Sequence, residues 1–252
     1  MTPRTEGNDI HPTAVVGSEV ELGSQNEIGP FVVITGKGSI GNRNRFLPGV
    51  SIGSPSRQRI HSHRPRRTLD SQPEYRIGND NIFYENCSMH LPMGAKSLVG
   101  SRISIGANVH VGHDAEIGDD AILAPGAVIG GFARILRYAT VGISSAVHQR
   151  MTVGSFAIVG AGAVVVDNLA PATVVAGVPA IYLKPNTLAL ERYFDRATQK
   201  DLVSWLQTGT TPKDSEAASL IKEFRSAVRT DYKNGRCLPE HALGGQAGWS
   251  KL

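Results

Sequence analysis

The chain has little of what marks several common classes of protein. Its 252 residues include two cysteines, Cys87 and Cys237, which form no metal-spaced pair and suit a reducing compartment. Aromatic residues make up 6% of the chain, and no apolar run approaches the roughly 18 residues of a membrane span. Residues 1–9 are too polar for a signal peptide. These absences predict a soluble protein of the cytoplasm with no membrane span.

Excess charge of one sign is confined to a single segment. The formal net charge is +4, and the body of the protein is close to neutral once residues 57–67 are set aside. The arginines of that segment are Arg57, Arg59, Arg64, Arg66 and Arg67. No aromatic residues are interleaved with these charges, which argues against nucleic acid as a partner.

What the chain does have is an apolar residue at every sixth position. These positions are Ile10, Val16, Leu22, Ile28, Ile34, Ile40, Phe46, Ile52, then Ile77, Phe83, Met89, and then Val99, Ile105, Val111, Ile117, Leu123, Ile129, Ile135, Val141, Val147, Val153, Val159 and Val165. Neither a helix nor an alternating strand has this period, whereas hexapeptide repeats are typical of a parallel β-helix. Each hexad is one short strand with its corner, and three hexads form one triangular coil.

The repeat turns sequence positions into positions on a surface. Because three hexads complete a coil, residues about 18 apart lie on the same face of neighbouring coils, about 4.8 Å from each other. This spacing predicts that His113 lies over Gly131, and Gly131 over Gln149.

The sixfold pattern is interrupted twice and then ends. Residues 54–76 and 90–98 lack it, and the first interruption has the length of a functional or disordered loop. The pattern stops at Pro171, after which residues 176–180 should turn the chain off the last coil. We predict a β-helix domain over residues 1–185, with loop 54–76 extruded, and a C-terminal helical segment with a tail over 186–252.

Two amphipathic helices are predicted in that C-terminal segment. The first covers Thr187 to Leu206, and the second begins after Asp214 or Ser215 and runs to about Tyr232. Both are too short to fold alone, so they should pack on the coils or on a neighbour. Residues 234–252 are expected to form a poorly ordered tail.

The candidate chemistry lies in the segment 107–114, which reads ANVHVGHD. His110 and His113 are one corner apart, and Asp114 follows directly. His148 stands in a slot that usually holds glycine, with Gln149 next to it. A single histidine is more often an exposed or hydrogen-bonded surface residue, but histidines clustered on neighbouring coils favour a functional site.

These motifs resemble the UDP-N-acetylglucosamine O-acyltransferase family over residues 10 to about 206. The motifs are HVGHD at 110–114, Gly130-Gly131, Ala146-Val147-His148-Gln149, Ile10-His11-Pro12-Thr13-Ala14 and Ile28-Gly29-Pro30. The resemblance implies an all-β left-handed parallel β-helix that forms a homotrimer. It also implies transfer of an acyl group from acyl carrier protein or acyl-CoA to a nucleotide sugar in lipid biosynthesis, with no permanently bound cofactor and no metal.

The resemblance assigns roles to individual residues. It implies that His113 is the general base, that Asp114 helps to position it and that the Gly131 N–H is the oxyanion donor. The residues that it places around the substrates are His110, Phe132, His148, Gln149 and Arg192. Of these, Arg192 matches an arginine that contacts the nucleotide phosphates.

The chain also departs from the family at several positions. Phe132 stands where the family has a second histidine, and Gln58 where it has an acidic residue that holds the sugar. Only His90 remains of the family's usual His-Arg-Gly, and residues 176–180 instead resemble the end-coil motif of acetyl-CoA-dependent acetyltransferases. Acetyl transfer from acetyl-CoA to a sugar nucleotide is therefore an alternative, and the sugar, the acyl length and O- versus N-acylation stay open.

Two further classes are alternatives. A metal-dependent hydratase of the γ-carbonic anhydrase type would use His90, His110 and His113, although its close pair is spaced His-x4-His and here it is His-x2-His. A non-catalytic scaffold would use only the flat faces of the coils. The arginine-rich loop 57–67 either contacts phosphates or the acidic face of a carrier protein, or it is a solvated surface loop.

Overall fold

The computed structural model describes residues 7–56, 74–94, 96–213, 215–228 and 237–239. The arginine-rich loop and Gln58 lie outside the described residues, as does the predicted end of the second helix at Tyr232. No helix in the described ranges is long and apolar enough to cross a membrane.

The described residues form a parallel β-helix of short strands. The strands are β1 (Asp9–Ile10), β2 (Val15–Val16), β3 (Val20–Leu22), β4 (Glu27–Ile28), β5 (Val33–Ile34), β6 (Gly38–Ile40), β7 (Arg45–Phe46), β8 (Ser51–Ser54), β9 (Glu74–Ile77), β10 (Ile82–Phe83), β11 (Ser88–His90), β12 (Lys96–Val99), β13 (Ser104–Ile105), β14 (His110–Val111), β15 (Glu116–Ile117), β16 (Ile122–Leu123), β17 (Val128–Ile129), β18 (Arg134–Ile135), β19 (Thr140–Val141), β20 (Ala146–Val147), β21 (Thr152–Val153), β22 (Ile158–Val159), β23 (Val164–Val165), β24 (Asn168–Leu169), β25 (Thr173–Ala176), β26 (Ile181–Pro185) and β27 (Cys237–Leu238).

These strands make three sheets, the faces of a triangular prism. Face A runs from β1 and β4 to β25 and β26, face B from β2 and β5 to β23, and face C from β3 and β6 to β24 and β27. The chain passes from A to B to C and back to A, so every coil has an A–B, a B–C and a C–A corner. The left-handed parallel β-helix with a C-terminal helical segment that the sequence predicts is confirmed.

The register of the coils follows the repeat. Ile10 pairs with Ile28 and Val111 with Ile129, and from Ile28 onward the inward apolar residue of each hexad is buried in one continuous core. In the first coil Ile10 is exposed, and Val16 and Leu22 are partly buried. A ladder of buried asparagines fills the C–A corner before the first strands of face A, where Asn44 Nδ2 donates to Asn26 Oδ1 at 3.0 Å. Because the inward set is fixed, the outward residues of each corner stack in columns.

The described residues of the C-terminal segment form three helices, which are α1 (Thr187–Tyr193), α2 (Arg196–Thr208) and α3 (Glu216–Ala227). The single helix predicted over 187–206 is wrong, because Phe194 leaves the helix in an extended conformation and Asp195 caps α2 by accepting from Thr198 N–H at 2.7 Å. The predicted start after Ser215 is confirmed, since its side chain caps α3.

The helices share a core with the last coils. Phe156 of the C–A corner contacts the rings of Phe194, Tyr193 and Tyr138 at centroid distances of 5.0, 5.3 and 4.8 Å. The chain does leave the coils after residues 176–180, where β25 turns back into the antiparallel β26. Cys237, expected in a tail, instead belongs to β27, which pairs with β24 and so covers the open end of face C.

Candidate active site

The candidate catalytic residues lie at the B–C edge, the line of corners between faces B and C. There His113, Gly131 and Gln149 are the first corner residues of three successive coils, and Asp114 and Phe132 are second corner residues. The predicted column is confirmed, because a Cβ placed on Gly131 would lie 2.7 Å from both Cε1 and Nε2 of His113. Both interruptions of the hexad pattern also connect face B with face C, so they leave and rejoin the coils at this edge.

His113 is held by the carboxylate that follows it. Its Nδ1 donates to Asp114 Oδ2 at 2.9 Å, which leaves Nε2 as the basic nitrogen of the ring. The side chain of His113 is 25% exposed, whereas that of Asp114 is only 4% exposed. The pair therefore presents an imidazole at the surface on a buried carboxylate.

Asp114 is enclosed by the short insertion one coil earlier. Met93 N–H donates to Oδ2 at 2.7 Å and Gly94 N–H to Oδ1 at 2.8 Å, while Asp114 N–H donates to Ser97 Oγ at 2.9 Å. Burial opposes ionisation of this carboxyl, but the hydrogen bonds from His113 and the two amides outweigh it and lower its pKa. The carboxylate that orients His113 is therefore kept charged.

The hexad pattern assigns no role to Met93, Gly94 and Ser97. The signal was the interruption at 90–98, which lies one coil before HVGHD and at the same edge. Ile103 N–H donates to Asn81 Oδ1, and these residues are 22 positions apart, whereas a regular coil separates such hydrogen-bond partners by 18. The added residues let the chain fold over Asp114 and aim two amides at it.

The absence of a side chain at Gly131 leaves room for the His113 ring. Its φ lies outside the left-handed region, so a side chain would be compatible with the backbone but would collide with the His113 ring. The coil ladder uses Gly130 N–H and Phe132 N–H, which donate to Val147 O and His113 O. Among the hydrogen bonds of the described residues, none is donated by Gly131 N–H.

Phe132 joins His113 to a basic residue. Its ring meets the His113 ring edge to face, with centroids 5.0 Å apart, and the guanidinium of Arg150 lies 4.8 Å from the Phe132 centroid. Asp114, Phe132 and Arg150 are second corner residues of successive coils, with φ of 57°, 61° and 67°. The family departure at Phe132 therefore has a defined consequence: an aromatic ring stands between imidazole and guanidinium.

His110 lies with His90 on face B next to this edge. The two rings are in edge contact with centroids 4.5 Å apart, and His110 Nδ1 shares a hydrogen bond of 2.9 Å with Ser88 Oγ. Burial lowers the pKa of both His110 and His90, and the positive form of His113 nearby adds to the effect. The structure thus brings His90, His110 and His113 together, with the first two favoured as neutral rings.

His148 and Gln149 are exposed on the coil beyond Phe132. His148 Nδ1 donates to Gln149 O at 3.2 Å. A side chain at Gly130 in the same column would press on the backbone of Gln149, only 2.5 Å from its nitrogen. Above His148 the next coil is shorter, since Thr152 N–H donates to Asn168 Oδ1 only 16 residues on.

Arg192 is not part of this cluster within one chain. It belongs to the last turn of α1, and its guanidinium lies 5.4 Å from the ring of Tyr193, which packs on Tyr138 and Phe156 at the C–A edge. His113 lies at the B–C edge. The role that the family resemblance gives Arg192 therefore stays a prediction.

In the described ranges, no three side chains of His, Cys, Asp or Glu are grouped closely enough to hold a metal ion. His90, His110 and His113 are neighbours, but Nδ1 of His113 is committed to Asp114 and Nδ1 of His110 shares a hydrogen bond with Ser88. The structure therefore offers the hydratase alternative no assembled ligand set in these residues.

Comparison with known proteins agrees with the repeat and with the coils. Residues 96–131, which include His110 and His113, match the family model "Bacterial transferase hexapeptide (six repeats)". Together with the prism, this match confirms the resemblance for the repeat and for the fold.

Particular relatives narrow the comparison. The chain is 45% identical over 51 residues to UDP-3-O-acylglucosamine N-acyltransferase 1 of Legionella pneumophila, covering 20% of this chain and 14% of that protein. It is 34% identical over 99 residues to acyl-[acyl-carrier-protein]–UDP-N-acetylglucosamine O-acyltransferase of Syntrophobacter fumaroxidans, covering 32% and 36%. The matched part thus spans about a third or less of the length of these curated relatives.

Solved structures match over much more of the chain. UDP-N-acetylglucosamine O-acyltransferase (LpxA) of Moraxella catarrhalis is 23% identical, with a TM-score of 0.56, over 89% of this chain and 88% of that one. LpxA of Acinetobacter baumannii is also 23% identical, with a TM-score of 0.62, over 89% and 90%. At this identity the likeness is one of fold.

Proposed function

We propose that the protein is an acyltransferase that moves an acyl group from a thioester to a hydroxyl or amine of a nucleotide sugar, with His113 as general base. The observation that carries the proposal is the arrangement of the His113 imidazole, its buried carboxylate and the amide of Gly131 in one column. The matched proteins are named as acyltransferases of UDP-sugars, which supports the same reaction class.

The base step follows from the His113–Asp114 pair. A sugar hydroxyl or amine attacks a thioester only when its proton is removed, and neutral imidazole suits this task near neutral pH. With Nδ1 donating to Asp114, Nε2 takes the proton, and the ionised carboxylate stabilises the imidazolium that forms. The same nitrogen then protonates the departing thiolate.

The Gly131 N–H is the proposed oxyanion donor. The tetrahedral intermediate carries a negative oxygen, and an amide fixed in a rigid coil can stabilise it without reorganisation, an effect of about 10²- to 10³-fold in rate. This amide is one coil from His113 and is not used by the coil ladder. The proposal therefore requires that base and donor both reach one thioester carbonyl.

The remaining residues at the edge line the substrates. His110, His148 and Gln149 supply polar groups and Phe132 an apolar wall for the sugar and the acyl chain. Acyl carrier protein or acyl-CoA is the proposed donor. Because nucleotide sugars and acyl thioesters are made inside the cell, we assign the protein to the cytoplasm and, by the relatives' names, to lipid biosynthesis.

We also propose a homotrimer. Around the A–B edge large apolar side chains stay exposed, with Ile143 at 56%, Ile122 at 47% and Val128 at 43%. Exposed apolar surface of this kind favours association with another chain. Sedimentation equilibrium should give three times the mass of the 26.9 kDa chain, and a monomer would contradict this part of the proposal.

A mass-spectrometric transfer assay tests the function. The protein and its His113→Ala variant are offered UDP-N-acetylglucosamine and amino-sugar nucleotides, each with acetyl-CoA, longer acyl-CoAs or acyl carrier proteins. We expect one acylated sugar nucleotide, made at least about 10² times more slowly by the variant. Equal turnover by a correctly folded His113→Ala variant would sink the assignment of the base.

Outcomes without product point to the other classes. If no pairing gives product and a metal analysis finds one equivalent of zinc or iron, the hydratase class replaces the transferase. If no acceptor gives product and no metal is found, the result favours the non-catalytic scaffold. The pairing that gives product identifies the donor and the acceptor together.

A further inference from the structure

The column Asp114, Phe132 and Arg150 combines an acid, a ring and a base on three successive coils. Asp114 is buried, and its two carboxylate oxygens accept from His113, Met93 N–H and Gly94 N–H. Arg150 lies two coils beyond Asp114 and is half-buried, with its guanidinium over the Phe132 ring. The column therefore places a guanidinium near His113, while its carboxylate is enclosed.

Stacking fits Arg150 for one kind of contact. An arginine on an aromatic ring is held by the face of its guanidinium, whereas its N–H groups lie in the plane and form the fork that suits carboxylate and phosphate. The Phe132 ring is itself fixed against His113 at 5.0 Å. Ring and backbone thus set the guanidinium at a defined place relative to the imidazole.

Another stacked arginine of the chain provides a contrast. Arg137 lies 6.0 Å from the Phe156 ring at the C–A edge, and its Nε is 3.4 Å from Glu223 of α3. There the ring is covered by the helical segment and the arginine joins a helix to the coils. At the B–C edge the same motif stands next to the candidate base.

We propose that Arg150 binds an acidic group of the substrates, a carboxylate or a phosphate, and so places the reacting atom at His113. Phe132 is the positioning residue of this contact, because it supports both the guanidinium and the imidazole. The inference rests on the proposed function for its link to acyl transfer. It deepens that function by requiring substrates with an acidic group that reaches the B–C edge.

Equilibrium binding tests the contact without requiring turnover. Isothermal titration compares UDP-N-acetylglucosamine with its uronic acid counterpart, and coenzyme A with pantetheine, on the unmutated protein, Arg150→Gln and Arg137→Gln. We expect Arg150→Gln to weaken at least one ligand about tenfold or more, the effect of losing a charged hydrogen bond, and Arg137→Gln to weaken none.

The pattern of losses identifies the source of the acidic group. A loss only for the uronic acid assigns a sugar carboxylate, an equal loss for both UDP-sugars assigns the nucleotide phosphates, and a loss only for coenzyme A assigns the donor. If Arg150→Gln unfolds more readily than Arg137→Gln, Arg150→Lys replaces it, and a smaller loss of the same pattern is expected because the charge stays and the fork is lost.

A His113→Gln variant separates this inference from the proposed function. It should transfer no acyl group, and it should bind the ligands more tightly than Arg150→Gln does. If the unmutated protein binds through Arg150 but transfers nothing, the proposed function fails and the anion contact stands. Unchanged affinity of Arg150→Gln for all four ligands, or no binding of any of them by the unmutated protein, would overturn the inference.

Discussion

The B–C and C–A edges of the prism use the same corner geometry for different purposes. Phe132 and Phe156 are both second corner residues with φ of 61° and 62°, and an arginine lies over each ring. Phe156 is 4% exposed because Phe194 of the helical segment and its neighbours cover it. Phe132 is half-buried and contacts His113.

The difference lies in what is added to the coils from outside. At the C–A edge a helical segment packs on the aromatic column and turns it into core. At the B–C edge a short insertion packs on a single carboxylate and leaves the neighbouring imidazole at the surface. Corner positions of equal backbone shape therefore become structural or chemical according to the segment that covers them.

The largest contrast is expected from the acidic residues of the two edges. Asp114 and Asp120 are second corner residues of adjacent corners, with φ of 57° and 59°. Asp114→Asn removes the carboxylate that fixes the His113 tautomer, so acyl transfer should fall about 10²- to 10⁴-fold. Asp120→Asn removes an ion pair with Arg102 and should leave turnover unchanged.

The assay is turnover per folded molecule, with folding checked by circular dichroism. If both aspartate variants lose the same activity, the carboxylate of Asp114 acts on stability and not on the imidazole. A retained rate in Asp114→Asn alone would show that His113 is oriented by other contacts.

The next effect concerns the space around His113. Gly131→Ala would push the His113 ring away from its partner, and we expect turnover to fall about 10²-fold with the coils intact. Gly17→Ala is the matched control, because a Cβ there meets its nearest atom at 3.4 Å. Comparable kinetics of the Gly131→Ala and Gly17→Ala variants would contradict the close approach of ring and glycine.

The same substitution at the two aromatic positions should act on different properties. Phe156→Leu loses ring contacts in the shared core and should lower the free energy of unfolding by about 1–2 kcal/mol, with turnover unchanged. Phe132→Leu should change KM or acceptor preference and alter stability less. Urea unfolding together with steady-state kinetics measures both, and reversed effects would refute the assignment of the two edges.

The smallest effect is a pH dependence of stability. Burial lowers the pKa of His110 below its ordinary value of 6.5, so below that pH the unfolded chain binds a proton that the native state refuses. Stability should therefore be complete above pH 6.5 and fall as the pH drops toward the folded pKa. His110→Gln should reduce the loss of unfolding free energy between pH 7.5 and 5.5, and an unchanged loss would contradict the shift.

The sequence by itself determined the prism and its main column. A period of six has one compact solution, and once coils hold about 18 residues, His113 must lie over Gly131. The capping serine of α3 could also be predicted from the sequence, because an N-cap side chain bonds a backbone N–H only three residues on. These features depend on local spacing, which the chain states directly.

Only the tertiary structure decided what closes over that column. The two amides on Asp114 come from an insertion about 20 residues earlier, and the arginine beside Phe132 gains its place from a stack across coils. The helix break at Phe194 accompanies the packing of its ring on Phe156. Arg192 lies at the C–A edge because α1 packs there. Such contacts follow from how separate segments pack, and no local pattern encodes them.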